Sequence, residues 1–234
     1  MRLALLSDVH GNAAALEAVL DDLRDQTYDG VVFLGDYALF GPRPAEAVDL
    51  VRAVDDAVCI VGNTDGYLQV QDTPVIEWTR DELGERVGWL GTRPFCHEVD
   101  GLLAVHATPT DVEAVLIVEP HPHGDLPLTA EDDAEALLGG AQADLIVYGH
   151  IHYASKGVVA GQRVASIGSV GFPYDGDPRA AYAFAERTDA GWRLEHRRVE
   201  YGHKAVAGEI RTRGMPLSEP LAQRILQARG LPLA

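Results

Sequence analysis

Five predicted strands of this chain each end in residues that can bind a metal ion. They are short apolar runs, most of them rich in β-branched residues, and they have the length of buried strands. The runs and the groups that follow them are residues 3–6 before Asp8-Val9-His10, 31–34 before Asp36, 58–61 before Asn63, 102–105 before His106, and 145–148 before His150-Ile151-His152. Sites in open α/β sheets form beyond the carboxyl ends of the strands. We therefore expect these five segments to converge on one site.

Helical patterns separate the first of these strands. Apolar residues recur at helical spacing from Leu16 to Leu23 after Asn12, a candidate cap, and again over residues 47–54 after Pro44. Residues 129–138 begin with a pattern that resembles a capping box, Thr129-x-x-Asp132. The alternation of strand and helix in the first third predicts a mostly parallel sheet.

The pattern changes after residue 160. Residues 163–168, 181–187 and 192–199 are predicted to be successive strands of an antiparallel part of a second sheet. Residues 203–213 and 217–229 are predicted to be closing helices that Gly214 and Gly230 end. No linker divides the chain, so we predict a single domain over residues 1–234.

Charge and cysteine usage limit the partners and the compartment. The chain carries 36 Asp and Glu against 19 Lys and Arg, a formal net charge of −17, without a basic stripe that could bind long nucleic acid. No segment approaches the roughly 20 apolar residues of a membrane span. Two separated cysteines and no signal-peptide pattern favour a cytoplasmic protein. The oligomeric state is not predictable from the sequence.

The types of ligand indicate transition metals. Imidazole suits Zn, Fe and Ni, while carboxylate and amide oxygens accommodate Mn and Mg. If the backbone is extended, the paired ligands of Asp8-Val9-His10 and of His150-Ile151-His152 share a face. Each piece has an ordinary alternative: a single histidine is more often a hydrogen-bonded core residue, and Asn63-Thr64-Asp65 could be an Asx turn. The occurrence of all five pieces, each closing a strand, favours the metal site.

These motifs resemble those of the calcineurin-like metallophosphoesterase superfamily, in particular its compact bacterial branch. The matching motifs are Asp8-Val9-His10, Gly35-Asp36 with Gly41, Gly62-Asn63-Thr64-Asp65, His106-Ala107 and Gly149-His150-Ile151-His152. The resemblance implies an α/β fold, a four-layer αββα sandwich of two mixed sheets flanked by helices. It also implies two divalent metal ions, of Mn, Fe, Zn, Ni or Mg, with Mn favoured.

The resemblance assigns roles to individual residues. The first metal would be held by Asp8, His10, Asp36 and His152, and the second by Asp36, Asn63, His106 and His150. Asp36 would bridge the two ions, and a hydroxide between them would attack phosphorus in line. Asn63 and Asp65 are the expected catalytic residues, and the expected substrate-binding residues are Asn12, Asn63 and His123.

Two motifs depart from the family pattern. His106-Ala107 stands in place of the commoner His-Gly, a change expected to be mild, and the other departure is at Thr64. Many members have histidine at the position of Thr64, where it is thought to protonate the leaving oxygen. Threonine cannot serve as that acid near neutral pH, and members without the histidine resemble phosphodiesterases that favour good leaving groups. His121 or His123 could supply the proton, although the favoured interpretation of their Pro/His-rich segment is a solvent-exposed turn.

We expect hydrolysis of a small or cyclic nucleotide-like phosphodiester. The partner would be a small phosphate ester, with no long nucleic acid and no membrane. The alternatives are a phosphomonoesterase or protein phosphatase, a catalytically silent scaffold, and a metal-binding sensor.

Overall fold

Two facing sheets of five strands each form the centre of the molecule, and helices lie on their outer faces. The structure is a computed structural model and describes residues 1–233. The first sheet has the order β10-β9-β1-β2-β3 and the second the order β4-β5-β6-β8-β7. Both sheets mix parallel and antiparallel pairs. The predicted four-layer αββα sandwich is confirmed.

The elements have the following bounds. The strands are β1 Arg2–Leu6, β2 Gly30–Phe33, β3 Val58–Cys59, β4 Cys96–Val99, β5 Leu102–Val105, β6 Leu145–Tyr148, β7 Ala154–Val159, β8 Gln162–Ile167, β9 Ala180–Thr188 and β10 Gly191–Val199. The helices are α1 Ala13–Arg24, α2 Pro44–Arg52, α3 Asn63–Val70, α4 Pro74–Leu83, α5 Val87–Leu90, α6 Glu131–Leu138, α7 His203–Thr212 and α8 Ser218–Gln227, with a 3₁₀ turn at Gly84–Arg86 before α5.

Strand β1 shows how the layers are held together. Its side chains alternate between the two faces of the sheet, as the pleat requires. Ala4 and Leu6 are buried beneath α1 and α2, while Leu3 and Leu5 are buried against the second sheet. Residues of both sheets share this inner core. A single domain over residues 1–234 stays a prediction.

Two of the predicted late strands belong to a different sheet from the one expected. Strand β9 pairs antiparallel with β1, and β10 pairs with β9, so both extend the first sheet. Of the three predicted late strands, only β8 lies in the second sheet, where it runs parallel to β6. Strand β9 is apolar on both faces: Tyr182 and Phe184 pack under the helices, and Ala183 and Ala185 face the second sheet. A strand that is apolar on both faces fits the interior of a sheet, which explains why β9 lies between β1 and β10 in the first sheet.

The helix caps agree with the sequence in part. The Oδ1 atom of Asn12 accepts a hydrogen bond from the Ala15 amide at 3.2 Å, which confirms the predicted cap of α1. The capping box predicted for α6 was wrong, because the Thr129 hydroxyl accepts instead from the Ile117 amide of a distant loop.

The two closing helices, α7 and α8, pack on each other and on Phe172, close to the carboxyl ends of the strands. Gly214 follows α7 with a left-handed backbone, φ +71°, as predicted. The corresponding residue after α8 is Ala228, φ +47°, rather than Gly230. Across residues 1–233, no helix is both long and apolar enough to cross a membrane.

The shared core predicts a large effect for a small truncation. Leu5→Ala removes a fully buried side chain between the sheets and should lower the free energy of unfolding by about 3 kcal/mol. Leu128→Ala is the matched control, because Leu128 is 55% exposed, and it should change stability by less than about 0.5 kcal/mol. Urea unfolding followed by circular dichroism measures both; equal midpoints for the two variants would contradict the shared core.

Candidate metal centre

The ligand-type residues of both sheets meet at one edge of the sandwich. Asp8, Asp36 and Asn63 follow β1, β2 and β3 of the first sheet. His106 follows β5 of the second sheet, and the His150-Ile151-His152 segment follows β6. The structure thus brings together all seven predicted metal ligands, which are Asp8, His10, Asp36, Asn63, His106, His150 and His152. Their roles as ligands belong to the proposal below.

The paired ligands do not lie on extended backbone, contrary to the expectation from their spacing. Five of the seven residues have left-handed φ angles between +49° and +63°, namely Asp8, His10, Asp36, His150 and His152. Asp and His adopt this conformation more readily than bulky residues do, but it still costs free energy. The turned backbone directs neighbouring ligands to different places: His152 faces Asp8, whereas His150 faces Asn63.

One group of donor atoms surrounds the carboxylate of Asp8. The Nε2 atom of His152 lies 3.2 Å from Asp8 Oδ1 and 3.1 Å from His10 Nε2. His10 Nε2 lies 3.8 Å from the same Asp8 oxygen and 3.5 Å from Asp36 Oδ2. Donors bound to one ion at about 2.1 Å are roughly 3.0–3.4 Å apart in tetrahedral or octahedral geometry. The spacing of these four residues therefore suits one ion.

A second group of donor atoms lies on the other side of Asp36. Its Oδ1 atom is 3.6 Å from His106 Nε2, which is 2.9 Å from Asn63 Oδ1. The same amide oxygen is 3.2 Å from His150 Nδ1. These distances also suit a single ion. Asp36 presents one oxygen to each group, which is the arrangement of a bridging carboxylate.

Backbone carbonyls orient the four imidazoles. The Nδ1 atoms of His10, His106 and His152 lie 2.9, 2.6 and 2.7 Å from the carbonyl oxygens of Leu39, Leu34 and Phe172. Each Nδ1 therefore carries the proton and donates it, which leaves Nε2 with a lone pair directed at the cluster. His150 is reversed: its Nε2 donates to the Glu113 carbonyl at 2.9 Å, so Nδ1 carries the lone pair.

The electrostatics of the cluster call for cations. Burial lowers the pKa of His10 to about 3 and that of His150 to about 4, so both rings are neutral near pH 7. The facing Nε2 lone pairs of His10 and His152 repel each other unless a cation lies between them. Burial and the charge of Asp8 raise the pKa of Asp36 to about 7. The buried Asp8 Oδ1 has no hydrogen-bond partner among residues 1–233. Two divalent ions would satisfy these groups.

Asp65 holds the site loops together. Its carboxylate is fully buried and accepts hydrogen bonds from the amides of Gly62 and Asp36, both at 2.9 Å, and of Tyr37 at 3.1 Å. Burial and the charge of Asp36 raise the pKa of Asp65 to about 7, while these donors favour its ionised form. The position therefore suits a role in orienting the loops, and a direct part in catalysis stays a prediction.

Two predicted substrate residues, Asn12 and His123, and the candidate acid His121 occupy three different settings. Asn12 is fully buried, and its amide nitrogen donates to Gly171 O and Tyr201 Oη, so its polar atoms are already used. His123 is exposed and lies against Gly176. His121 is buried, packs edge-on to Tyr153 and lines a cavity that also contacts His150. The substrate-binding predictions for Asn12 and His123 stay predictions.

Comparison with known proteins identifies the family. A model of the calcineurin-like phosphoesterase superfamily domain matches residues 1–190. The chain belongs to this superfamily. It is therefore a metal-dependent phosphoester hydrolase of a family that uses two metal ions, and the Asp and His groups described above could bind them.

Three relatives resemble this calcineurin-like phosphoesterase, two of them over nearly all of its length. The Methanocaldococcus jannaschii protein MJ0912 is 26% identical over 97% of this chain and 98% of its own length. A symmetrical bis(5'-nucleosyl)-tetraphosphatase from Methylococcus capsulatus is 32% identical over 46% of this chain and 43% of its own length. The crystal structure of a metallophosphoesterase from Sphaerobacter thermophilus superposes with a TM-score of 0.80 at 28% identity, covering 97% of this chain and 100% of the other.

The packing around Asp36 predicts the effect of one added methyl group. A Cβ atom at Gly62 would collide with the Asp36 side chain and come within 2.5 Å of the Asp36 amide, so Gly62→Ala should weaken metal binding about tenfold. Gly66→Ala is the control, because Gly66 lies in helix α3, which Gly62 precedes, and its Cβ would meet no atom within 4 Å. Metal content after dialysis against manganese measures both. Wild-type content in Gly62→Ala would contradict the close packing.

Proposed function

We propose that this chain is a dinuclear metal-dependent phosphodiesterase that acts on a small or cyclic nucleotide-like phosphodiester. Asp8, His10, Asp36 and His152 would hold one divalent ion, and Asp36, Asn63, His106 and His150 the other. The observation that carries this proposal is the carboxylate of Asp36, which lies between two groups of donors at the spacing of metal ligands. Manganese is the favoured ion, because the donor set combines oxygen with imidazole.

The protein groups prepare the site for a phosphate ester. When bound, two divalent ions would lower the pKa of a water molecule and neutralise the charge of the phosphoryl oxygens. The chain itself contributes the orientation of the four imidazoles, and the rings of His10 and His150 are neutral near pH 7. The oxygen of Asn63 faces both His106 and His150. Its amide nitrogen could then donate to a phosphoryl oxygen, as expected for a residue in catalysis and substrate binding.

Thr64 favours diesters with good leaving groups. Its amide donates to Asp36 Oδ1 at 2.9 Å, while its side chain is buried and its hydroxyl has no hydrogen-bond partner within residues 1–233. A hydroxyl in this position cannot protonate a leaving alkoxide near neutral pH. Substrates whose leaving group is stable as an anion do not need that proton. A phosphomonoesterase remains the second candidate, because the metal cluster itself would suit both reactions.

The size and charge of the substrate follow from the rest of the chain. A net charge of −17 opposes binding of a long polyanion, whereas two metal ions attract a small phosphate ester locally. The similarity to a bis(5'-nucleosyl)-tetraphosphatase supports a small nucleotide-like substrate.

The test is a comparison of two chromogenic substrates. Metal-stripped protein refilled with manganese should hydrolyse bis-p-nitrophenyl phosphate with a higher kcat/KM than p-nitrophenyl phosphate, because no acid is needed for the nitrophenolate. Protein without metal is the control and should be inactive. A preference for the monoester would favour the phosphomonoesterase, and no turnover of either substrate with metal bound would contradict the proposed function.

Metal content tests the assignment of ligands independently of activity. Asp36→Asn removes charge from the bridging position and should weaken binding of both ions by about tenfold or more. His106→Ala should remove only the second ion and leave the group at Asp8 occupied. His97→Ala is the control, because this partly exposed histidine of β4 lies outside the cluster. Manganese per chain, measured by mass spectrometry, should fall in the order wild type, His106→Ala, Asp36→Asn; full content in Asp36→Asn would refute the assignment.

A further inference from the structure

A cavity of about 210 Å³ opens beside the metal cluster. This volume lies below the range of whole-ligand pockets, so the cavity suits a part of a substrate rather than a whole nucleotide. Its walls combine apolar and polar side chains, among them Val115, Leu126, Ile151, His150, Tyr174 and Arg224. His150 belongs to the candidate metal cluster. The cavity therefore adjoins the candidate metal cluster at this side chain.

Arg224 provides the positive charge of this cavity. Its Nε atom donates to the Leu231 carbonyl at 2.6 Å, and its Nη1 atom donates to Tyr174 Oη at 3.1 Å. Both acceptors are neutral, and Arg224 forms no ion pair with any of residues 1–233. The Nη2 group makes no hydrogen bond within that part of the chain. Guanidinium stays charged at every physiological pH and binds phosphate through two parallel donors.

The negative charge of the cavity wall, on Asp125, is already paired. Asp125 lines the cavity, but Arg229 pairs with it through Nη2 at 2.6 Å and Nε at 3.2 Å. The Arg229 guanidinium lowers the pKa of Asp125, so this carboxylate stays ionised and paired. The guanidinium of Arg224 is consequently the uncompensated charge of the cavity among the described residues. This is notable in a chain with 36 acidic residues against 19 basic ones.

Tyr174 connects Arg224 to the metal cluster. Its ring stacks on the imidazole of His152, with centroids 4.4 Å apart and planes 18° apart. The guanidinium carbon of Arg224 lies 5.6 Å from the centroid of the same ring. Arg224 therefore has a fixed position relative to the candidate ligand His152, as a specificity-determining side chain requires.

We propose that Arg224 binds a phosphate group of the leaving group, which selects substrates whose leaving group carries its own phosphate. This inference rests on the proposed function. The oxygen of a water molecule bonds to the attacked phosphorus. The bond between this phosphorus and the oxygen that links it to the leaving phosphate breaks, and the electron pair leaves on that linking oxygen. The departing group is then a phosphate anion and needs no proton at neutral pH, and the water protons pass to solvent. The absence of an acid at Thr64 agrees with such a leaving group.

The proposal places substrate selection in the C-terminal part of the chain. The family model matches residues 1–190, which contain every candidate metal ligand. Arg224 lies on α8, and Gly230, which packs on the Tyr174 ring, follows that helix. The helical pair at the end of the chain would thus add a subsite to the catalytic edge that the matched region forms.

The experiment compares two substrates of the manganese-loaded protein. Bis-p-nitrophenyl phosphate releases a leaving group without phosphate, whereas a dinucleoside tetraphosphate releases one that carries phosphate. Arg224→Gln should lower kcat/KM for the tetraphosphate at least about tenfold more than for bis-p-nitrophenyl phosphate, and Arg224→Lys should recover part of the difference. Arg52→Gln is the matched control, because Arg52 is an exposed arginine on α2 without an ion pair in residues 1–233.

Binding of ADP gives a readout that does not depend on turnover. Calorimetry should show ADP binding to the wild type and to Arg52→Gln, with at least about tenfold weaker binding to Arg224→Gln. The inference would be overturned by equal losses of kcat/KM for both substrates or by an unchanged ADP affinity in Arg224→Gln. It would also be overturned if the wild type hydrolyses bis-p-nitrophenyl phosphate but neither binds ADP nor cleaves the tetraphosphate. If the wild type binds ADP through Arg224 but hydrolyses neither substrate, the subsite stands and the proposed function fails.

Discussion

The rest of the site depends on the position of the buried Asp36 carboxylate. It lies between His10 on one side and His106 on the other, and it also accepts a hydrogen bond from the Thr64 amide. Without cations this position is unfavourable, because burial and the neighbouring Asp8 push its pKa towards neutrality. The fold therefore places a buried negative charge where bound cations would stabilise it. Metal binding and the integrity of this edge of the sandwich are coupled for that reason.

The strained backbone of the ligand loops is balanced by hydrogen bonds between the loops. The Asp8 amide donates to Gly35 O, the His10 amide to Asp36 O, and the Gly149 amide to His106 O, at 3.1, 2.9 and 2.8 Å. Each of these bonds joins loops that follow different strands. Left-handed residues persist only where the surrounding structure determines their conformation. The two sheets supply that constraint, so the precision of the site follows from the core between them.

The sequence predicted which residues meet at this edge of the sandwich better than it predicted their geometry. All seven residues could be found because each follows a short apolar strand, and that signal is local. The ring nitrogen that His150 presents could not be found, because it depends on the carbonyl of Glu113 in a separate loop. The membership of β9 in the first sheet was missed for a similar reason: its pairing with β1 joins residues at opposite ends of the chain. Helix α3 was missed because Asn63 begins a helix where a loop residue was expected. Helices α4 and α5, which follow it, were not predicted either.

The remaining question is why the edge that carries the chemistry also carries the closing helices. The metal cluster alone would accept many phosphate esters, because its contacts are made to the phosphoryl group that all of them share. Selection needs a contact with the part of the substrate that differs, and this contact must be held at a fixed distance from the cluster. The stack of His152, Tyr174 and the Arg224 guanidinium provides such a fixed distance. A helical pair outside the matched region could then change the preferred leaving group without disturbing the candidate metal ligands.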